Sequence, residues 1–506
     1  MEKKLVYDVH ERPVFSKMII FALQQVLAIL AATIAVPTII GLPTQIPAAI
    51  LGAGIGTLVY QLFTEFKSPV FLGSSFAFLG PLFTAVAYGY CGIILGSVVA
   101  GLAYVLIAVI IHFVGTDWVN KLMPPVIIGP TVALIGLSLA GSAMGDLVKA
   151  SGVVETFFNP ATLENELLYA SYNLAALLCG LVTFVTVIIC STQKKYTMPK
   201  LIPFIIGIGA GYVTAAIFTF IGNAFDIDYL RIINFAPLVN NFVTESGEFV
   251  GLAAFLNIPD FALVEAIKEM ANGTVKLDGG SVLEVIVAFL PVALVVFAEH
   301  IADHKNLSSI IDKDLIKEPG LEKTLLGDGV GSIAGTIFGI CPNTTYGESV
   351  GCVAITKNAS VATITTTAFM CIILAFISPV MALLQTIPSC VMGGVCLTLY
   401  GFIAVSGLKM FKHLDLGDNK NLFVVSAIFI SGIGGLTIQI PYAIAENGLI
   451  TNSITITSIA TALIVGIFTN FILTKIENSK LSVDPETDTE ETTEEAAGEI
   501  SEAEEV

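Results

Sequence analysis

The chain has 506 residues, of which 55% are hydrophobic and only 13% charged, with a mean hydropathy of +0.87. Soluble domains carry about 25% charged residues, so this composition excludes a soluble domain and describes a polytopic, all-α membrane protein whose first partner is the lipid bilayer. The net charge of −18 belongs largely to one end: residues 484–506 hold eleven Asp or Glu and no Lys or Arg, which leaves −7 for the remainder.

Residues 1–14 read as a cytoplasmic N-terminal tail. No cleavable signal is evident, because Met1 to Lys17 is charged and the apolar run after it has the length of a first membrane helix. Fourteen apolar segments begin near Phe15, Pro47, Pro69, Cys91, Pro124, Leu168, Leu201, Val282, Gly327, Pro342, Ser360, Ile387, Leu422 and Ile454. Several match the roughly 20 residues a spanning helix needs, but those at Pro69, Gly327 and Pro342 are short or broken. A hydrophilic stretch, 223–281, divides them into seven-span sets at 15–222 and 282–475 and reads as an extracellular loop. The acidic end, 476–506, reads as a disordered, solvated cytoplasmic tail. With both termini in the cytoplasm, Lys67, Lys121, Lys194, Lys200, the Lys305 to Lys323 group, Lys357, Lys409 and Lys475 fall inside, while Lys149, Arg231, Lys268 and Lys276 fall outside, as the positive-inside rule expects of a plasma-membrane protein. The eight cysteines lack metal-ligand spacing and read as small buried hydrophobes. No metal, cofactor or nucleic-acid partner is expected.

Two polar clusters interrupt the apolar segments. Pro342-Asn343-Thr344-Thr345-Tyr346-Gly347-Glu348-Ser349 carries a carboxylate in a stretch without helical character, and polar backbone at membrane depth normally lines a cavity. About forty residues earlier, the run ending Val296-Phe297-Ala298 meets Glu299-His300-Ile301-Ala302-Asp303. Ionisable groups inside a membrane are costly and mark solute pathways. Ser74-Ser75-Phe76-Ala77 in the third segment repeats the pattern of Thr344-Thr345-Tyr346-Gly347 in the tenth: hydroxyl, hydroxyl, aromatic, small. Seven spans per half invert the second copy, and broken segments at matching positions of inverted halves point to a transporter's binding site. Flanking Gly73, Gly80-Pro81 and Pro342 favour short extended strands there, crossing near the midplane and followed by half-helices whose N-termini favour negative charge.

The chain resembles the nucleobase-ascorbate transporter family, most closely its bacterial uracil permeases. The resemblance runs from Glu11-Arg12-Pro13 to the last span. It rests on Gly73-Ser74-Ser75-Phe76-Ala77-Phe78, Ala298-Glu299-His300, Lys313-Asp314-Leu315, Pro319-Gly320-Leu321, Pro342 to Glu348, and Val391-Met392-Gly393-Gly394-Val395. It implies a core domain of segments one to four and eight to eleven and a gate domain of the others. It also implies uracil import coupled to protons, by an elevator-like movement of core against gate, with homodimers through the gate. Motif by motif, the resemblance makes Glu299 and Glu348 the base's hydrogen-bonding carboxylates and sets Phe76 and Tyr346 beside it, with Ser75 and Gly347 from the same strands. Glu299 and Asp303 then carry the proton, and Tyr400 is a gate-side candidate.

Three positions depart from the family pattern. The usual Gln-His of the first segment is Gln24-Gln25, an Asn is Ser349, and the uracil permeases' histidine one turn after the first glutamate is Asp303. Asp at that turn is similar to purine-transporting members, so a xanthine or urate permease remains the alternative. Sodium coupling also stays open, since paired carboxylates and strand carbonyls suit a hard cation. An anion transporter of the sulfate-permease fold would share the architecture, but Glu348 would repel its solute. Without motifs, Glu348 reads as a helix-cap carboxylate, Asp303 as a cytoplasmic-end charge, and His300 as a packed or headgroup-level residue. His304 points to another face. A membrane enzyme is disfavoured, because no nucleophile-base or metal-spacing motif appears.

Overall fold

The computed structural model describes residues 5–149, 156–159, 164–167, 172–194, 199–200, 202–244, 246–256, 258–444 and 450–481. The expected acidic tail from residue 482 onward and the start of the sixth segment at Leu168 lie outside the described residues.

Apolar runs become helices here because a helix pairs its backbone groups within itself, which lipid requires. Among the described residues, nine helices are long and apolar enough to cross a membrane, from Phe15–Ile39 to Ser458–Glu477. Val361–Ala375 and Asn419–Ile433 are apolar but shorter. Gly279–Ile311 has 33 residues, a rise of about 50 Å, so it overruns a hydrocarbon core of about 30 Å. A capping box fixes its start: Ser281 N donates to Asp278 Oδ1 at 2.7 Å and Asp278 N donates to Ser281 Oγ at 2.8 Å.

The helices pack in two groups. In the first, Leu321–Phe338 lies against Ile46–Phe63 and Gly89–Val114, Val361–Ala375 against Phe15–Ile39 and Ile46–Phe63, and Gly279–Ile311 against Gly89–Val114. In the second, Ser389–Lys409 lies against Pro125–Ser138, Ala140–Leu147 and Leu174–Thr192, with Pro203–Phe225 against Leu174–Thr192. Asn419–Ile433 joins the second group through Pro125–Ser138 and Ser458–Leu481. Helices of the second group approach closely at Gly394: a Cβ there would lie 2.3 Å from the Gly180 carbonyl oxygen.

Strands Leu72–Ser74 and Asn343–Thr345 pair antiparallel, with Leu72 opposite Thr345 and Ser74 opposite Asn343. They begin slightly earlier in the chain than the matched motifs suggest. Backbone bonds outside the ladder extend the crossing, from Ser75 N to Pro342 O at 3.0 Å and from Tyr346 N to Phe71 O at 3.1 Å. Each strand is followed by a short helix, Leu79–Val86 or Gly347–Thr356.

The all-α expectation needs correcting at two further places. Thr156–Asn159 pairs with Glu164–Leu167, and Ile438–Ile444 pairs with Ile450–Ile456. The second hairpin follows from alternation of Ile with Gln, Thr and Ser, a period of two that favours strand. The stretch 223–281, expected as a loop, contains the helices Ala236–Phe242 and Ala262–Asn272.

Many of the basic residues expected inside gather at one end. Lys313 Nζ donates to Asp8 Oδ2 at 2.9 Å, and Val6 N to Lys357 O at 2.7 Å. Lys67 pairs with Glu65 at 3.1 Å and Glu318 at 3.3 Å, and Lys323 also reaches Glu65. Hydrogen bonds from Lys323 and Lys67 hold the exposed Glu65 carboxyl below its ordinary range.

Candidate functional site

A cavity of about 640 Å³ opens between the two helix groups, in the size range of small-molecule sites. Ser75, Phe76, Tyr346, Gly347, Glu348, Glu299 and Asp303 all border it. Residues far apart in sequence thus meet because the strand crossing delivers both motifs to one place and Gly279–Ile311 passes beside it. Tyr400 does not border the cavity. Its ring meets Phe76 edge-on, with centroids 5.3 Å apart, so it touches the site through that residue.

Helical spacing explains the face that Gly279–Ile311 offers. Glu299, Asp303, Asn306 and Ile310 recur at intervals of three or four and all line the cavity. Asp303 is buried, and its Oδ2 accepts from Thr345 Oγ1 at 2.7 Å, which fastens the helix to the strand Asn343–Thr345. It is therefore no helix-end charge. Glu299 has an oxygen, Oε2, shielded from solvent without a hydrogen-bond partner among the described residues, and Ser75 Oγ is in the same position. Buried polar atoms are rarely left unpaired. Both belong to residues on this cavity, which suits a polar occupant.

Glu348 stands in the first turn of Gly347–Thr356. The helix N-terminus still favours its negative charge. Tyr346 packs across the strand rather than standing free: a Cβ on Gly73 would lie 2.3 Å from its ring, and its hydroxyl donates to Ser74 O at 3.0 Å. The same hydroxyl is 3.3 Å from Thr33 Oγ1. Gln25 donates through Nε2 to Ser349 Oγ, tying the first helix to the turn after Glu348.

The opposite face of the long helix carries a buried polar system of its own. His300 Nδ1 meets Asp328 Oδ2 at 2.7 Å and its Nε2 meets Thr324 Oγ1 at 3.0 Å. His304 faces away from the cavity, as its position predicts, and its Nε2 lies 2.9 Å from Tyr60 OH. His300 is fully buried rather than at headgroup level. Asp328 escaped the sequence reading. A carboxylate seven residues into the helix Leu321–Phe338, amid Gly and apolar residues, is a signal in its own right, since such groups seldom lie in a membrane without a partner.

The floor of the cavity thus carries carboxylates, hydroxyls and an aromatic ring. Its rim is exposed at Lys200 and at Thr192 and Lys409, the last two at the ends of Leu174–Thr192 and Ser389–Lys409. Such a site can bind a planar solute with N–H donors by carboxylate acceptors.

A model described as "Permease family" (Xan_ur_permease) matches residues 16–441. The uracil permease of Bacillus caldolyticus is 34% identical over 473 residues, 93% of this chain and 95% of that protein. The uracil permease of Escherichia coli K12 is 31% identical over 437 residues, 85% and 88% of the two chains. Among solved structures, murine Solute Carrier 26 family member A9, an anion transporter in the inward-facing state, aligns with a TM-score of 0.56 at 11% identity, covering 92% of this chain and 69% of that one. The transmembrane domain of the cyanobacterial bicarbonate transporter BicA aligns with a TM-score of 0.52 at 13% identity, covering 90% and 96%. At these identities the two structures establish a shared fold alone. The family match over most of the chain and the full-length similarity to uracil permeases mean that this protein belongs to the nucleobase-ascorbate transporter family, as a multi-pass membrane permease and not an enzyme.

Proposed function

We propose that this protein imports uracil across the plasma membrane together with protons. The observation that carries this reading is that Glu299 and Glu348 border one cavity with Phe76, in a chain similar throughout to uracil permeases. Uracil offers two N–H donors and two carbonyl acceptors in one plane. The carboxylates take the N–H edge, strand and half-helix N–H groups near Gly347 take the carbonyls, and Ser75 and Tyr346 complete the wall. Charge-assisted hydrogen bonds of about 1.5–3 kcal/mol each, with stacking on Phe76, would bring binding toward the micromolar range.

In this reading fourteen segments cross the membrane, the short and broken ones included, as seven-span inverted repeats at 15–222 and 282–475. Both termini lie in the cytoplasm. The first helix group is the core and the second the gate, with Tyr400 reaching the site from the gate through Phe76. Core moving against gate exposes the cavity alternately, and homodimers form through the gate. Asp303 and Glu299 take the coupling proton. Proton and base then stabilise the same state, which is the thermodynamic content of symport. Asp303, where uracil permeases carry histidine, favours a xanthine or urate permease as the second reading.

Radiolabelled uracil uptake into proteoliposomes under an inward proton gradient tests this, with thymine, xanthine, urate and sulfate as competitors. Gradient-dependent uptake blocked by pyrimidines supports uracil-proton symport. Uptake driven by sodium alone would replace the coupling ion, and transport of xanthine instead of uracil would replace the substrate.

A further inference from the structure

The cavity is far larger than one pyrimidine ring, and its chemistry changes sign along its length. Glu299, Asp303 and Glu348 lie at the floor, whereas Lys200 and Lys409 border the exposed rim of the same cavity. Neither lysine has an ion-pair partner among the described residues. Between the two ends come further polar groups. Asn306 follows Glu299 by seven residues on one helix, about 10 Å of rise, and Ser406 follows Tyr400 by six on another, about 9 Å. Ser191, at the end of Leu174–Thr192, also borders the cavity, with a shielded Oγ that has no hydrogen-bond partner among the described residues.

The spacing sets the ligand's length. Tyr400 touches Phe76 at the floor, and Lys409 lies nine residues further along the same helix, about 13 Å away. A base alone cannot span that distance. A base joined to ribose and phosphate can, with the flexible lysine stem covering the remainder, and lysine suits a phosphate as a point charge. The start of Pro203–Phe225, just after Lys200, adds the positive end of a helix at the rim.

We propose that the rim binds the phosphate of a pyrimidine nucleoside monophosphate whose base occupies the floor, so that the nucleotide plugs the cavity from the side where the lysines lie. The proposal rests on the base-binding reading above. Ribose lies in the middle layer near Asn306 and Ser406. Orientation follows from charge, because a reversed nucleotide would press its phosphate against three carboxylates. The plug gives the phosphoribosylated form of the base a means of closing the importer from inside, with no separate regulatory domain.

Displacement of radiolabelled uracil from the purified full-length protein tests this, with uridine monophosphate, uridine and inorganic phosphate as competitors. Uridine monophosphate should displace uracil at a concentration about tenfold below uridine, as one charge-assisted contact predicts, and inorganic phosphate alone should displace nothing. Lys200→Gln and Lys409→Gln should each remove most of that advantage while uracil affinity stays unchanged. Equal potency of nucleotide and nucleoside, or an advantage that survives both substitutions, overturns the proposal. Repeating the measurement in nanodiscs of zwitterionic and of phosphatidylglycerol-rich lipid separates the sources of phosphate. An advantage kept in both supports the nucleotide, and loss in the anionic lipid assigns the rim to headgroups and overturns it. If uracil itself does not bind, the base-binding reading fails first and takes this proposal with it.

Discussion

Thr345 Oγ1 donates to Asp303 Oδ2 at 2.7 Å, joining the strand crossing to the long helix at the cavity wall. The bond fixes which way the carboxylate points, because both residues are buried. Thr345→Val should weaken uracil binding several-fold. Asp303→Asn, which can still accept that bond, should keep binding but lose gradient-driven accumulation. Binding and uptake measured side by side check this, and the double mutant should show a coupling of about 0.5–3 kcal/mol. Full accumulation in Asp303→Asn would remove the residue from the proton path.

Glu299 and Glu348 differ in their surroundings although both face the cavity. Glu348 has a helix N-terminus beside it, whereas one oxygen of Glu299 has no partner among the described residues. Glu299→Gln and Glu348→Gln should each lower uracil affinity about tenfold to a hundredfold, the loss of a charge-assisted bond of about 1.5–3 kcal/mol. Membrane insertion should be unaffected, because neither carboxylate holds another element in place. Equilibrium binding to purified variants is the measurement, and wild-type affinity in either variant takes that carboxylate off the base.

The two motifs that meet at the cavity were legible because membrane-depth polarity is rare, so Glu299, Asp303 and Pro342 to Glu348 stood out against their apolar flanks. The strand pairing was legible from composition, but its register was not, since Ser75 N to Pro342 O and Tyr346 N to Phe71 O are set by chain entry and not by any local residue preference. The contact of Gln25 with Ser349 joins residues 324 positions apart and leaves no local trace. Tyr346 matched the motif, but its ring lies over Gly73 because a tertiary partner holds its hydroxyl. The Ile438–Ile444 hairpin was lost for a different reason: an apolar run with β-branched residues fits a membrane helix by hydropathy and a strand by alternation, and hydropathy dominated.

His300 and Asp328 are both fully buried and bonded to each other at 2.7 Å on the far side of the helix from the cavity. Removing one member leaves the other's buried polar group without its partner, at a cost of about 1–3 kcal/mol. Asp328→Ala should therefore reduce the yield of monodisperse protein, whereas Asp328→Asn, which can still meet the imidazole, should restore most of it. Size-exclusion profiles and thermal unfolding of detergent-solubilised variants give the readout. A wild-type melting temperature in Asp328→Ala would mean that the pair is not structural, and a transport role would have to be sought for it instead.

Gly52 and Gly335 bring two helices into backbone contact directly behind the strand crossing. A Cβ on Gly52 would lie 2.3 Å from Gly335 O, and one on Gly335 would lie 2.1 Å from Asn343 Nδ2. Asn343 Nδ2 donates to Gly52 O at 2.8 Å, and its backbone N donates to Ser332 Oγ at 3.0 Å. The close approach therefore sets where the strand Asn343–Thr345 sits, and through Thr345 where Asp303 points. Gly52→Ala meets backbone, which cannot swing aside, so the helices must separate, at a cost of about 1–3 kcal/mol for overpacking. Because the strand moves with them, the expected result is reduced thermal stability together with weaker uracil binding in protein that still folds. Gly401→Ala, where nothing lies within 4 Å of the added carbon, is the control and should change neither property. Lower stability with unchanged affinity in Gly52→Ala would show that the crossing holds its geometry without this contact.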